Sequence, residues 1–236
     1  MTIGREPTPR SGGGRRVFLD VGGHIGETLA AAMDPRWRFD RIWSFEPTST
    51  CQEALQALAD KRVVVVPAGL WSSDTMMDIH DPGTLHASVD ASASRHGVTE
   101  SCTFIDAATW FAENLEPTDR VWMKVNVEAA EVEVLGRLLD TGSLETVEHL
   151  VVHFDVEKVG RHDEANSMRA RLDHSGVTWA EADAVMFGRD ATQKTRSWLD
   201  WTEGHRIAWR RARLEHRARR LVFLARRRLG LLPRPR

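Results

Sequence analysis

Short apolar runs recur along the chain, and most are followed by a stretch with helical spacing. Val17–Val21, Ile42–Glu46, Val63–Val66, Val121–Asn126 and His149–Phe154 read as strands. Residues 26–33, 50–59, 106–114, 129–139 and 163–174 read as helices. Ser49 or Thr50 is placed to cap the second helix, while Thr141-Gly142 and Gly176 end the last two. Such alternation predicts an α/β fold with a doubly wound, mostly parallel sheet. The near-continuous apolar runs fit parallel strands covered on both faces. Sheets of this kind bind ligands at the carboxyl ends of their strands. That rim would gather Asp20, Glu46, the loop Ala68–Trp71 and residues 126–128. Residues 74–105 carry Gly, Pro and Ser signals without one clear period, so they read as a loop or as short strands. Together with residues 155–200 they are expected to shape the acceptor pocket.

The first strand ends in Asp20-Val-Gly-Gly-His-Ile-Gly26 and leads directly into a helix. A strand–glycine–helix junction is expected to present backbone N–H groups to a ligand. The glycines would let a ligand approach the backbone closely. The second strand also closes on an acid, Glu46, followed by Pro47. Two carboxylates at neighbouring strand ends suit a ligand with hydroxyls and a cationic centre, as S-adenosylmethionine has. A nicotinamide dinucleotide is the competing ligand, but its G-x-G-x-x-G fingerprint would need glycine where His24 stands. Glu46 could serve ribose hydroxyls in either case. A strand followed by an ordinary turn is the plainest alternative.

A second constellation lies at Met123-Lys-Val-Asn-Val-Glu-Ala-Ala-Glu131. Lys124 sits inside an apolar strand, where an ammonium needs a partner. Glu128 or Glu131 could pair with it, and Glu131 also stands where a helix dipole favours an acid. His153, at the end of the next expected strand, could accept a proton from a hydroxyl, or could be an ordinary hydrogen-bonded strand histidine.

Three blocks in order, Phe18–Gly26, Ser44–Pro47 and Met123–Glu131, resemble the FkbM family of S-adenosylmethionine-dependent methyltransferases. Lys124, Glu128 and Glu131 match the family's third block, whereas Asn126 replaces its usual Asp and Ala129 its usual Gly. An amide at 126 is neither a general base nor an anionic metal ligand. The resemblance implies a Rossmann-like fold and O-methylation of a hydroxyl on a sugar, a glycosylated natural product or a cell-surface glycan. It implies cofactor contacts from Asp20, Gly22, Gly23, His24, Gly26, Glu46, Pro47 and Ala68. Lys124, Asn126, Glu128 and His153 would line the acceptor side, with Lys124 and Glu128 as an orienting pair and His153 as proton acceptor. A non-catalytic binding protein on the same fold is the alternative that Asn126 and Ala129 keep open. An NAD-dependent sugar oxidoreductase is disfavoured by His24 and by the absence of Tyr from the chain.

Composition changes the picture mainly at the termini. The 236 residues are 42% hydrophobic, enough for a core. Residues 1–16 are rich in Gly, Pro, Ser and Arg without an apolar signal region, and read as a loose tail ahead of a domain over 17–203. Two cysteines, Cys51 and Cys102, imply neither a disulfide framework nor a zinc site, and point to a cytoplasmic setting. His80 and His86, with Asp78, Asp81 and Asp90, have no diagnostic ligand spacing, so dependence on a divalent metal stays open. Residues 204–236 hold twelve Arg and one Glu, a formal +11, so the remainder stands near −13 for the whole to reach −2. Ile207, Trp209, Leu214, Leu221, Val222, Phe223, Leu224 and Leu229 interleave with these arginines and predict a basic amphipathic helix. It could pack on protein as a dimerisation arm, which we favour on sequence. It could instead lie on an anionic membrane or fray into solvent. No base-reading motif accompanies it, so nucleic acid is not an expected partner.

Overall fold

The computed structural model describes residues 13–84, 87–89 and 97–228. The apolar runs form a six-stranded sheet. Its strands are β1 (Arg16–Val21), β2 (Arg41–Phe45), β3 (Val63–Val66), β7 (Arg120–Val125), β8 (Val147–Val152) and β9 (Thr178–Glu181), in the order β3-β2-β1-β7-β8-β9. Every neighbouring pair in it is parallel, so the sheet is wholly rather than mostly parallel. Strand order reverses between β1 and β7, which opens a crevice at their carboxyl ends. The four-residue β9 was not anticipated, because Thr-Trp-Ala-Glu is too short to establish a period.

Alternation along each strand divides the core in two. Val17, Leu19 and Val21 of β1 face α3 (Ala107–Asn114), α4 (Glu131–Asp140) and α5 (His162–His174). Phe18, with Trp122 of β7 and Val151 of β8, faces α1 (Glu27–Ala32), α2 (Ser49–Leu58) and α7 (Ala191–Thr202). Phe18, Trp122 and Trp198 are almost wholly buried. Burying an aromatic or large aliphatic side chain contributes roughly 1.5–3 kcal/mol.

The described residues between 69 and 106 make a second, three-stranded sheet, the short-strand form of the two expected for this segment. Its strands β4 (Gly69–Trp71), β5 (Thr75–His80) and β6 (Thr99–Asp106) stand in the order β4-β6-β5, with β5 antiparallel to β6. The strand signal is weak here because this sheet has only a small core, formed by Ile79, Cys102 and Phe104. After β9 come the one-turn helix α6 (Ala182–Val185), α7 and the 23-residue α8 (Arg206–Arg228). At the other end, Arg15 pairs with Asp119 at 2.7 Å and Arg16 opens β1. Both therefore belong to the folded body rather than to the N-terminal tail.

Candidate functional site

The glycine turn after β1 is shaped by protein neighbours. Gly22 has φ 88°, and a Cβ there would stand 2.0 Å from the Asn126 carbonyl oxygen. A Cβ on Gly23 would meet Ser44 Oγ at 2.3 Å. These two glycines thus serve the close approach of β2 and the β7 loop. The turn's amides are used internally as well. Gly22 and Gly23 donate to the Phe45 carbonyl at 3.1 and 2.9 Å, and His24 N donates to Glu46 Oε2 at 2.8 Å. These three N–H groups are therefore not presented to a ligand, because β2 lies close enough to accept them first, and the junction's remaining donors are the first amides of α1.

Glu46 is held at three points. Besides the His24 amide, its Oε1 accepts from Thr48 N at 2.9 Å and from Thr48 Oγ1 at 2.6 Å. A carboxylate offers about four acceptor directions, so one is left for a ligand hydroxyl. Gln52 Nε2 donates to the Glu46 and Pro47 carbonyls, which fixes the backbone behind it.

Lys124 finds its partner across the sheet. Asp20 and Lys124 are register neighbours on β1 and β7, so their side chains share a face. Lys124 Nζ lies 3.0 Å from Asp20 Oδ1 and donates to the Gly22 carbonyl at 2.8 Å. Both side chains are buried, and burial pushes the Asp20 carboxyl up against the opposing pull of Lys124. The structure thereby corrects two expectations. Lys124 pairs with neither Glu128 nor Glu131, and Asp20 is buried behind the turn instead of lining the cavity. Gly26 and Ala68 also stand off the cavity wall. Gly26 has φ 90° ahead of α1 and faces Leu55 and Leu58, while Ala68 is buried after β3.

The loop after β7 is strained. Glu128 and Ala129 hold φ of 42° and 80°, values that L-residues adopt at a cost. Their left-handed backbone delays the start of α4 to Glu131. Glu131 is fully buried, and its carboxylate accepts from the Ala129 and Val156 amides at 3.2 and 3.0 Å. Burial, then the charge of Asp155, pushes the Glu131 carboxyl up to about 7. The same two causes push Glu128 up to about 7, even though Lys158 stands 3.1 Å away. His153 lies just past β8, its amide bonded to the Val125 carbonyl at 2.9 Å. Burial and the Lys124 charge hold its imidazole down to about 4, so it is neutral across the physiological range.

These pieces surround a cavity of about 260 Å³. Gly22, Gly23, His24, Glu46 and Pro47 line one part of it, and Lys124, Asn126, Glu128 and His153 another. Asn126 Oδ1 and His24 Nε2 are buried without a protein partner. The three-stranded sheet adds Leu70, Ile79 and Phe104, with Ser88 beside them, and the far segment adds Met186, Ala191, Lys194 and Thr195. No motif marks Lys194 or Thr195 in the sequence, and only the docking of α7 onto α1 brings them to the site. Asp155, which raises the neighbouring Glu128 and Glu131 carboxyls, is likewise marked by no motif in the sequence. Among the described residues, no group of three or more His, Cys, Asp or Glu is arranged to hold a metal ion. His80 and Asp78 lie on β5 with Asp81 just beyond, while His86 and Asp90 fall outside the described residues.

No family model matches the chain, and no curated protein does. A solved structure that it resembles is the crystal structure of a methyltransferase FkbM from Methylobacillus flagellatus KT, at 15% identity and a TM-score of 0.44. The match covers 69% of this chain and 38% of that one. Likeness at that level carries no argument about chemistry, which rests on the geometry above.

Proposed function

We propose that the chain is an S-adenosylmethionine-dependent methyltransferase acting on a hydroxyl of a sugar-containing acceptor. The observation that carries this reading is the direction of the hydrogen-bonding groups at the rim of β1 and β2. The Gly22, Gly23 and His24 amides are used by Phe45 and Glu46, so of this junction only the first amides of α1 are left as donors to a pyrophosphate. What it offers instead is acceptors: the remaining direction on Glu46 and, across the cavity, Asn126 Oδ1. Acceptors suit ribose hydroxyls and an amino group. The apolar wall of Phe45, Leu70, Ile79 and Phe104 suits an adenine ring. The residues present therefore fit the cofactor. When bound, it would supply an electrophilic methyl group on a sulfonium centre, whose departure needs no proton.

The chain's own part is positioning and proton removal. Glu46 would hold the ribose hydroxyls, and Asn126 would accept from the cofactor or the acceptor. Lys124, tied to Asp20, would fix the spacing of β1 and β7. As the new O–CH3 bond forms and the S–CH3 bond breaks, the hydroxyl proton would pass to the neutral His153 imidazole.

A dinucleotide oxidoreductase shares the strand order seen here, and that observation makes it the second reading. Calorimetry on the full chain separates the two: S-adenosylmethionine and its demethylated product should bind, and NAD should not. Binding of NAD alone would overturn the proposal, and binding of the cofactor without transfer to any nucleotide sugar or glycan would favour the non-catalytic alternative. His153→Ala should lower the transfer rate by about 10²–10⁴-fold with cofactor affinity near wild type. Full activity in that variant would move proton acceptance to water or to another group.

A further inference from the structure

Six of the ten exposed large hydrophobic side chains among the described residues lie on α8. Ile207, Leu214 and Leu221 recur every seventh residue and so share one face, where they are 87%, 65% and 68% exposed. The opposite face holds the helix to the body. Trp209 and His216 pack against Phe187 with tilted rings at 5.8 and 5.6 Å between ring centres, and Trp209 Nε1 donates to the Val185 carbonyl at 3.2 Å. One face of the helix is therefore anchored, while the other is apolar and uncovered. Arg210 and Arg217 flank the uncovered stripe on one side and Arg211 on the other. Residues 206–228 carry ten Arg against a single acid, Glu215.

We propose that this face of α8 docks on an anionic lipid surface, lying in the plane of the headgroups. The apolar stripe would enter the acyl boundary while the flanking guanidinium groups meet phosphates. At 1.5 Å per residue the helix is about 35 Å long, long enough to lie along the interface over several turns. No helix among the described residues is long and apolar enough to cross a membrane, so the contact is peripheral. Charge decides between occupants. Pairing with α8 of a second copy would bring two strongly cationic helices into contact, and the acidic body of a second copy supplies opposite charge but, among the described residues, only Ile25, Leu58, Met76 and Val98 as exposed large hydrophobics, whereas anionic lipid supplies both the opposite charge and an apolar layer. A nucleic acid would satisfy the arginines and leave the Ile207–Leu221 stripe in water. The proposal is independent of the reaction assigned above.

Vesicle co-sedimentation of the full chain tests it. Binding to phosphatidylcholine vesicles containing phosphatidylglycerol is expected, with little to phosphatidylcholine alone and weakening as salt rises. Leu214→Glu combined with Leu221→Glu leaves every arginine in place and alters only exposed side chains. Losing two leucines that would enter the acyl boundary should weaken vesicle binding by about 100-fold. Met76→Glu, an exposed substitution on the body, should change nothing. Undiminished binding by the double variant would overturn the proposal, because simple charge attraction would then be sufficient. Failure of the wild type to bind anionic vesicles would overturn it as well. So would a wild-type dimer in sedimentation velocity that the double variant converts to monomer, since the stripe would then belong to a second copy. Tight binding to duplex DNA without vesicle binding would assign the arginines to nucleic acid.

Discussion

At the carboxyl ends of β1 and β2, the Gly22, Gly23 and His24 amides and the Glu46 carboxylate all have protein partners before any ligand arrives. At the ends of β7 and β8 the picture differs. Asn126 Oδ1 has no partner, two successive non-glycine residues hold positive φ, and Glu128, Glu131 and His153 all titrate far from their ordinary ranges. The first half has its turn amides and the Glu46 carboxylate already paired, although His24 holds φ 46° and its Nε2 has no partner. The second stores backbone strain and shifted protonation, the combination found where chemistry is done. The Asp20–Lys124 pair joins the two halves.

Breaking that join should have the largest effect. Lys124→Ala leaves Asp20 buried without its counter-charge, and should cost about 3–5 kcal/mol in urea unfolding. Replacing both, as Asp20→Leu with Lys124→Met, should recover most of that loss. Equal losses in the single and double variants would show that the pair is not what couples the halves.

The next effect belongs to the strained half and is read through pH. In the unfolded chain Glu131 titrates near 4.5, but in the folded protein near 7. Between these values the folded state binds more protons at Glu131, so the stability this group contributes is greatest below 4.5 and is lost as pH rises through 7. From a shift of that size the contribution is on the order of 3 kcal/mol. Glu131→Gln keeps an acceptor oxygen and should reduce the slope of stability between pH 4.5 and 7, leaving the part that Glu128 contributes. An unchanged slope would place the shifted carboxyl elsewhere.

Glu46→Gln tests the first half. It removes the charge and leaves its NH2 facing either the His24 or the Thr48 N–H, so cofactor affinity should fall by about 1–3 kcal/mol in calorimetry together with some loss of unfolding stability. A loss of stability without a loss of affinity would make Glu46 a structural brace only. The smallest effect is expected at Ala129. Ala129→Gly relieves a left-handed alanine and loses one buried methyl, for a net gain in stability of roughly 0.5 kcal/mol. A clear loss would mean that the loop carries no strain.

Much of this contrast could be read from the chain. Acids at strand ends, the glycine turn and the polar cluster 124–131 follow from local pattern, whereas nothing local marks Ala129 as a residue with φ 80°. The partner of Lys124 was misjudged because sequence proximity favours Glu128 and Glu131. Asp20 is 104 positions away and becomes its neighbour only through the register of β1 with β7. The turn amides were misassigned for a related reason, since their acceptor, the Phe45 carbonyl, belongs to a different strand.

The sequence by itself determined where strands and helices alternate, which strands end in acids, and that the C-terminal helix is cationic with an apolar stripe. These depend on the order of side chains over a few turns or pleats, and short-range sterics and solvation suffice to set them. Only the tertiary structure decided which carboxylate neutralises Lys124, that the glycine turn keeps its amides to itself, and that Ile79, Phe104 and Lys194 close the cavity. Those outcomes depend on strand register and on which helix docks where. Each is a contact between distant segments, and its energy exists only once the whole sheet has assembled.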